Sequence, residues 1–210
     1  MIKKNYLEDL NKSKKPFIIY KSNKGFDLYT DFSKKIILTN NNIEKFIKES
    51  TKIKSKKKET DLFIGFFGYE ILNNLIGIKI KKQKGLKFPK GIFYKPETKI
   101  KLSNKLNYKN LGTVKPNKLF KININELSYK IIFDKFKKKI KSGETYQIKI
   151  CTKYSNKAQI DPLDYFSRLI KSNMAPEAFM IKDKNYSIIS CSPENLIIKK
   201  NDLITTKPIA

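Results

Sequence analysis

A mixed architecture of helices and antiparallel strands is predicted by three observations on this 210-residue chain. Short β-type runs near the start alternate with turn chemistry. Two segments in the second half carry helical spacing behind clear capping residues. After each of them come strand-like runs, some closed by tight turns. Hydrophobic residues make up 40% of the chain, enough for one or two globular units with a real core.

The runs PFIIY (16–20), FDLYT (26–30) and KIILT (35–39) are separated by SNKG and DFSK, and together they predict a small antiparallel meander. Residues 41–53 have helical spacing, with Ile43, Phe46, Ile47 and Ile53 on one side. KSKKKET (54–60) reads as a charged surface loop. LFIGFFGY (62–69) is apolar with two glycines, which suits a buried strand or a close backbone approach. Residues 70–78 return to helical spacing. Residues 80–125, with Pro89, Pro96, Pro116 and many lysines, are expected to be extended or looped and to make the fewest core contacts.

The pattern sharpens from residue 125. Asn125 can cap a helix over 126–141, with Leu127, Ile131, Ile132, Phe136 and Ile140 inward. Lysines crowd its C-terminal end, where the helix dipole favours cations, and Gly143 suits the position just past it. TYQIKICTKY (145–154) alternates, with Tyr146, Ile148, Ile150 and Tyr154 on one face and Gln147, Lys149, Cys151 and Lys153 on the other. Asp161-Pro162 announces a second helix to about Asn173, with Leu163, Phe166, Leu169 and Ile170 on its apolar side. Strands follow near 178–182, 186–191, 196–199 and 203–207, with turns at Asp183–Asn185 and Lys200–Asp202.

Composition excludes several chemistries. Histidine is absent, so these residues hold no Ser-His-Asp triad, Cys-His pair or His-ligated metal. Cys151 and Cys191 lack metal-ligand or CxxC spacing and read as reduced cytosolic thiols, which with the lack of a leader-type apolar run points to the cytoplasm. No window is apolar and long enough for a membrane helix. The net charge of +27 invites a nucleic-acid reading. Yet Arg168 is the one arginine among 46 basic residues, and readers of phosphate and base edges favour arginine. Lysine, isoleucine and asparagine together are the mark of AT-rich codons. The lysine runs at 54–58, 79–84 and 135–141 therefore read as solvated faces, and no helix-turn-helix, zinc or RNP signature accompanies them.

Five motifs stand in order: GFFGYE (65–70), SGETYQIKICTKY (142–154), SNMAPEAF (172–179), SCSPENLI (190–197) and TTKPIA (205–210). Together they resemble component I of anthranilate synthase and of aminodeoxychorismate synthase, the chorismate-binding enzymes. The resemblance runs from about residue 60 to the end, and the first 60 residues match loosely. It implies an α+β fold of two large antiparallel sheets packed face to face with helices outside, chorismate and Mg²⁺ lying in a cleft between. It also implies a division into an N-terminal region, 1–117, and the first part of the catalytic domain, 118–210. Family members continue Pro-Ile-Ala with Gly-Thr and roughly another half-domain, so the chain is expected to be cut off at its C-terminus. The Mg²⁺ ligands are then expected beyond residue 210, and the 210-residue piece alone is expected to be inactive and poorly soluble.

The resemblance also assigns roles. Glu194, in Ser192-Pro193-Glu194, matches the general acid that helps the C4 hydroxyl of chorismate leave, and a carboxyl held out of water can carry that proton near neutral pH. Gln147 stands where isochorismate and salicylate synthases carry a water-activating lysine. Glutamine is no base, so ammonia is implied as the nucleophile, supplied by a glutamine amidotransferase subunit. Ile209 and Ala210 fall at the substrate. Many aminodeoxychorismate synthases have a nucleophilic lysine at the position of Ala210, and anthranilate synthases have alanine. Alanine excludes a covalent intermediate there and leaves direct attack by ammonia.

Tyr146-Gln147 and Asn173-Met174-Ala175-Pro176 look more like the aminodeoxychorismate branch, toward 4-aminobenzoate and folate. Pro176, Glu177 and Ala178 fall where some relatives contact tryptophan, but residues 17–22 lack the leucine-leucine-glutamate-serine element of tryptophan-regulated enzymes. Anthranilate synthesis remains the alternative. A non-catalytic remnant docking on a partner and a basic nucleic-acid-binding protein are the readings of another class.

Overall fold

The structure is a computed structural model that describes residues 6–51, 58–78, 88–102, 106, 108, 120–158, 160–192, 195–200 and 202–206. It has two compact units, Met1–Lys109 with Pro162–Ala210, and Asn110–Asp161. The elements are α+β with antiparallel pairing, as the resemblance implies.

The first unit is built on a six-stranded sheet of order β3-β4-β2-β1-β7-β8. Its strands are β1 (Phe17–Ser22), β2 (Gly25–Ile37), β3 (Ile64–Phe67), β4 (Gly91–Lys101), β7 (Glu177–Lys182) and β8 (Ser187–Ser192). Every pairing in it is antiparallel. The sheet closes by pairing β1 with β7, Phe17 opposite Lys182, so the start of the chain and its last third share one ladder. Five helices complete the described residues: α1 (Tyr6–Lys12), α2 (Ile43–Thr51), α3 (Tyr69–Leu75), α4 (Glu126–Lys141) and α5 (Pro162–Asn173). The small ladders are β5 (Lys121–Ile122) with β6 (Tyr154–Ser155), and β9 (Ile198–Lys200) with β10 (Leu203–Thr205). Among the described residues there is therefore one large sheet rather than two.

Strand alternation sorts the core. Phe17 and Ile19 of β1, Leu28 of β2 and Met180 of β7 pack with Leu10 of α1 and with Leu163 and Phe166 of α5. Ile18, Tyr29 and Ile181, one position along each strand, form a second cluster with Ile92 and Tyr94 of β4. A third cluster, Leu38, Ile43, Phe46 and Ile71, seats α2 and α3. Each fully buried side chain of this size contributes about 1.5–3 kcal/mol. α5 follows its predicted bounds, and Asp164 in its first turn is buried and meets Arg168 Nε at 2.9 Å.

Three strand expectations are corrected. The runs 26–30 and 35–39 are one strand, β2, so no meander forms. DFSK is not a turn. Asp31 takes a positive φ of 52° and the register against β4 slips between Phe32 and Lys34, a bulge that lets the strand continue. Residues 91–101, expected to be extended or looped with the fewest core contacts, are indeed extended as strand β4 but enter the core, with Ile92 and Tyr94 fully buried. Pro96 is tolerated because β3 pairs only as far as Tyr94, so that among the described residues no strand pairs with that side of β4 there. β3 is half-buried rather than buried, but the close approach holds: a Cβ on Gly65 would lie 1.9 Å from the Ile92 carbonyl oxygen. Helix α1 was not foreseen.

In the second unit α4 starts and stops as predicted. The Asn125 side chain accepts from Ser128 N–H at 2.8 Å. Gly143, at φ 75°, donates to Ile140 O while Glu144 donates to Lys139 O, the paired bonds of a Schellman stop. The inward face is corrected: Leu127 is 69% and Ile131 62% exposed, and no α4 residue is fully buried. Strand 145–154 is corrected too, since only Tyr154 pairs, opposite Ile122. In both cases the described residues of this unit place no further sheet against the apolar side. Of the predicted apolar face only Ile148 and Ile150 are half-covered; Tyr146 is 91% and Tyr154 62% exposed, like Gln147, Lys149 and Cys151 on the other face. Ile53, Pro116 and residues 79–84 lie outside the described residues.

At the β7–β8 turn Asp183 is a buried carboxylate. Lys35 Nζ and Tyr94 OH both reach its Oδ2 at 2.5 Å, and Lys184 N–H donates to Oδ1 at 2.6 Å. Burial pushes this carboxyl up, but those donors overcome it and hold it below the ordinary aspartate value. A depressed folded value means stability that is full above the unfolded value, about 4, and is lost as pH falls through the lower folded one. The Asp183→Asn protein is thus expected to be less stable than the parent at pH 6. The gap should narrow as urea midpoints are followed below about pH 4.

Candidate functional site

Described residues of two of the motifs, 172–179 and 190–197, meet at one end of β1, β7 and β8. Helix α5 ends at Asn173, and Met174 turns the chain with a φ of 46° while its N–H donates to Ile170 O at 3.1 Å. Lys21 at the end of β1 pins the connection, donating to Ala175 O at 2.6 Å and Pro176 O at 3.4 Å. β7 then begins at Glu177, which stands opposite Ser192, the last residue of β8. Pro176 is exposed, Glu177 half-buried and Ala178 buried. Ser192 opens the Ser-Pro-Glu motif. Pro193 and Glu194 lie outside the described residues, and the next described residue, Asn195, turns back onto β7: its Nδ2 donates to Glu177 Oε1 at 3.2 Å.

Tyr20 completes the group. It faces Phe179 across the β1–β7 ladder, diagonal to Glu177. Burial first, then the hydrogen bond to Glu177 and the charge of that carboxylate, push the Tyr20 hydroxyl up to about 12. It therefore stays protonated and donates. Cys191, opposite Ala178, is a free thiol that burial pushes up against the pull of Lys21, so it is not an activated nucleophile.

The structure thus brings Glu177 to Ser192 and Asn195, and Ala178 opposite Cys191. Gln147 belongs to the second unit, where it is exposed and its carbonyl accepts from Thr145 Oγ1 at 3.1 Å. Ile209 and Ala210 lie outside the described residues. Sequence reasoning missed Tyr20, Lys21 and Asn195. Only the strand alternation could have pointed to the first, and nothing local pointed to the others.

Among the described residues no three of Asp, Glu and Cys stand together as a metal site requires, so these residues do not fit Mg²⁺ and no step is derived through it. Among them, too, no helix is long and apolar enough to cross a membrane. A cavity of about 470 Å³ is lined by Tyr6, Asp9, Leu10, Thr30, Phe32 and Tyr94, with other residues of the α1–β1 connection and of β2. None of the described residues among the predicted site residues, Gln147, Pro176, Glu177 and Ala178, lines it.

The chain belongs to the chorismate binding enzyme family, whose pattern matches residues 4–210. The match takes in the first 60 residues as well. Among curated relatives, the chain is similar to aminodeoxychorismate synthase component 1 of Bacillus subtilis (strain 168), 31% identical over 77 residues, which are 37% of this chain and 16% of that protein. It is similar to anthranilate synthase component 1 of Buchnera aphidicola subsp. Rhopalosiphum maidis, 32% identical over 120 residues, 54% of this chain and 23% of the relative. The same enzyme from Buchnera aphidicola subsp. Schizaphis graminum (strain Sg) is 28% identical over 146 residues, 67% and 26% of the two chains. The matched stretches therefore span about a quarter or less of these relatives' lengths.

Proposed function

We propose that the protein carrying this chain aminates chorismate on the branch toward 4-aminobenzoate, as an aminodeoxychorismate synthase component 1. The observation that carries this reading is Gln147, in a chain matched by the family pattern across residues 4–210. A glutamine cannot take a proton from water, so ammonia, already a nucleophile, is the attacking species. Glu194 protonates the departing C4 hydroxyl, which leaves as water. Ala210, with no nucleophile, leaves ammonia to attack directly, and Ile209 and Ala210 line the substrate.

Several further features belong to the same proposal. The relatives are named component 1, which supports a separate partner, here a glutamine amidotransferase subunit that releases ammonia. The six-stranded sheet is one of two facing antiparallel layers, the chain comprises an N-terminal region, 1–117, and the first part of the catalytic domain, 118–210, and the enzyme works in the cytoplasm. Mg²⁺ dependence is part of the reading, with no described residue offered as a ligand.

A second reading is favoured by Ala210 itself, the residue of anthranilate synthases, and by the Buchnera relatives. Product identity separates the two. The protein expressed from its full reading frame, given chorismate and ammonium at alkaline pH, is expected to yield the 4-amino intermediate by chromatography. Anthranilate as the product establishes the second reading instead.

A further inference from the structure

The cavity beside α1 lies at the start of β1, the end away from Lys21 and Glu177, and the chorismate-amination reading gives it no role. Three consecutive residues of β2, Thr30, Asp31 and Phe32, line it. A regular strand presents alternate residues to one face and could not do this. The positive φ of Asp31, 52°, and the register shift between Phe32 and Lys34 break the alternation at that point. From the other side α1 supplies Tyr6, Asp9 and Leu10. Tyr94 of β4 completes the wall, its ring 4.9 Å from that of Phe32. Asp183 accepts from the Tyr94 hydroxyl and pairs with Lys35, so two of the lining side chains are fixed from behind by one buried carboxylate.

The charge inside runs against that of the chain. The whole sequence carries +27, yet the cavity sets the carboxylates of Asp9 and Asp31 against the ammonium groups of Lys15 and Lys35. Lys35 is neutralised by its ion pair with Asp183, which leaves Lys15 against two carboxylates. Asp31 Oδ2 accepts from the neutral Thr30 hydroxyl at 2.9 Å, and among the described residues no cation pairs with Asp9 or Asp31. The rings of Tyr6, Phe32 and Tyr94 add electron-rich faces, and Tyr94 already takes Lys35 Nζ at 5.8 Å from its ring centre. The volume, about 470 Å³, falls in the range of small-molecule sites, about 300–1,000 Å³.

We propose that this cavity binds a small organic cation, an ammonium group carried on an aromatic or aliphatic body. Asp31 and Asp9 receive the charge, and Phe32, Tyr6 and Leu10 receive the body. Charge decides the class of ligand. An anion would meet two like charges, and a neutral molecule of the same shape would forgo the charge-assisted hydrogen bond, which is about twice as strong as a neutral one. The proposal goes beyond the chorismate-amination reading and does not rest on it, so either can fail while the other stands.

The test is binding to the protein expressed from its full reading frame, read by ligand-observed NMR titration and by the thermal melt. The probes are two cations, 2-phenylethylamine and benzyltrimethylammonium, with the neutral 2-phenylethanol and the anion phenylacetate for comparison. Both cations are expected to bind with a Kd of about 1 mM or below and to raise the melting temperature. The alcohol should bind about tenfold more weakly than the amine, and the anion more weakly still. Asp31→Asn keeps a residue type that tolerates a positive φ, so it is expected to fold and to weaken both cations about tenfold. Phe32→Leu keeps an apolar side chain and should weaken the quaternary cation, which has no N–H to donate, about fivefold. Glu44→Gln, on α2 and away from the cavity, removes the same charge elsewhere and should leave both affinities within twofold. No binding of either cation, equal binding of the alcohol, or affinities that respond to Asp31→Asn and Phe32→Leu no more than to Glu44→Gln would each overturn the site.

Discussion

The Glu194→Gln protein is expected to aminate chorismate about 10²–10⁴ times more slowly than the parent, with KM little changed and the thermal melt unmoved. The size follows from the leaving group. Hydroxide departs poorly from carbon, and a carboxylic acid within hydrogen-bond reach replaces it by water as the bond breaks. Glutamine keeps the shape and can still hydrogen-bond, but it has no proton to transfer at neutral pH. The melt should not respond because the exchange is nearly isosteric and leaves the neighbouring contacts, Ser192 in the β7–β8 ladder and Asn195 on Glu177, unaltered. Initial rates with ammonium as the nitrogen source and circular-dichroism melts on the same preparations check both halves. A kcat within threefold of the parent removes Glu194 from the chemistry.

Phe166→Ala is expected to destabilise the first unit by about 3–5 kcal/mol. Phe166 is fully buried on α5 and packs, with Leu163, in the cluster that holds Phe17, Ile19, Leu28 and Met180 of the sheet. Deleting the ring removes its transfer free energy and leaves a cavity that β1 and β7, locked in register with each other, cannot close. Domains of this size are stable by about 5–15 kcal/mol, so roughly a fifth or more of the total is at stake. The urea midpoint should drop while the slope stays the same. Tyr165→Ala, one residue earlier but 45% exposed, should cost below about 1 kcal/mol. Equal losses from the two would mean that α5 does not pack on the sheet through this face.

What was legible in the sequence was local. Asn125 and Gly143 bound α4, and Asp161-Pro162 opened α5, because capping is chemistry of adjacent residues. The β7–β8 hairpin announced itself in Asp183-Lys184-Asn185. What failed was decided at a distance. DFSK carries turn-forming residues, yet its strand continues through a bulge because β4 pairs on both sides of it. Pro96 argues against a strand until one sees that β3 stops short of it. No local pattern says that β1 pairs with β7, which is what makes the first residues and the last motifs one sheet. The site divides the same way. Its motif residues were readable as types in order, whereas the Tyr20–Glu177–Asn195 contact joins three segments that only the fold brings together.

The claim at the centre of this account is that the protein consumes chorismate with ammonia as the nucleophile. The most direct test is ammonium-dependent loss of chorismate by the protein expressed from its full reading frame, followed by mass analysis of the product. The account predicts consumption that rises with ammonium and a product carrying one new nitrogen, labelled when ¹⁵N-ammonium is used. Chorismate consumed at the same rate without ammonium, to a product carrying water oxygen instead, would contradict it.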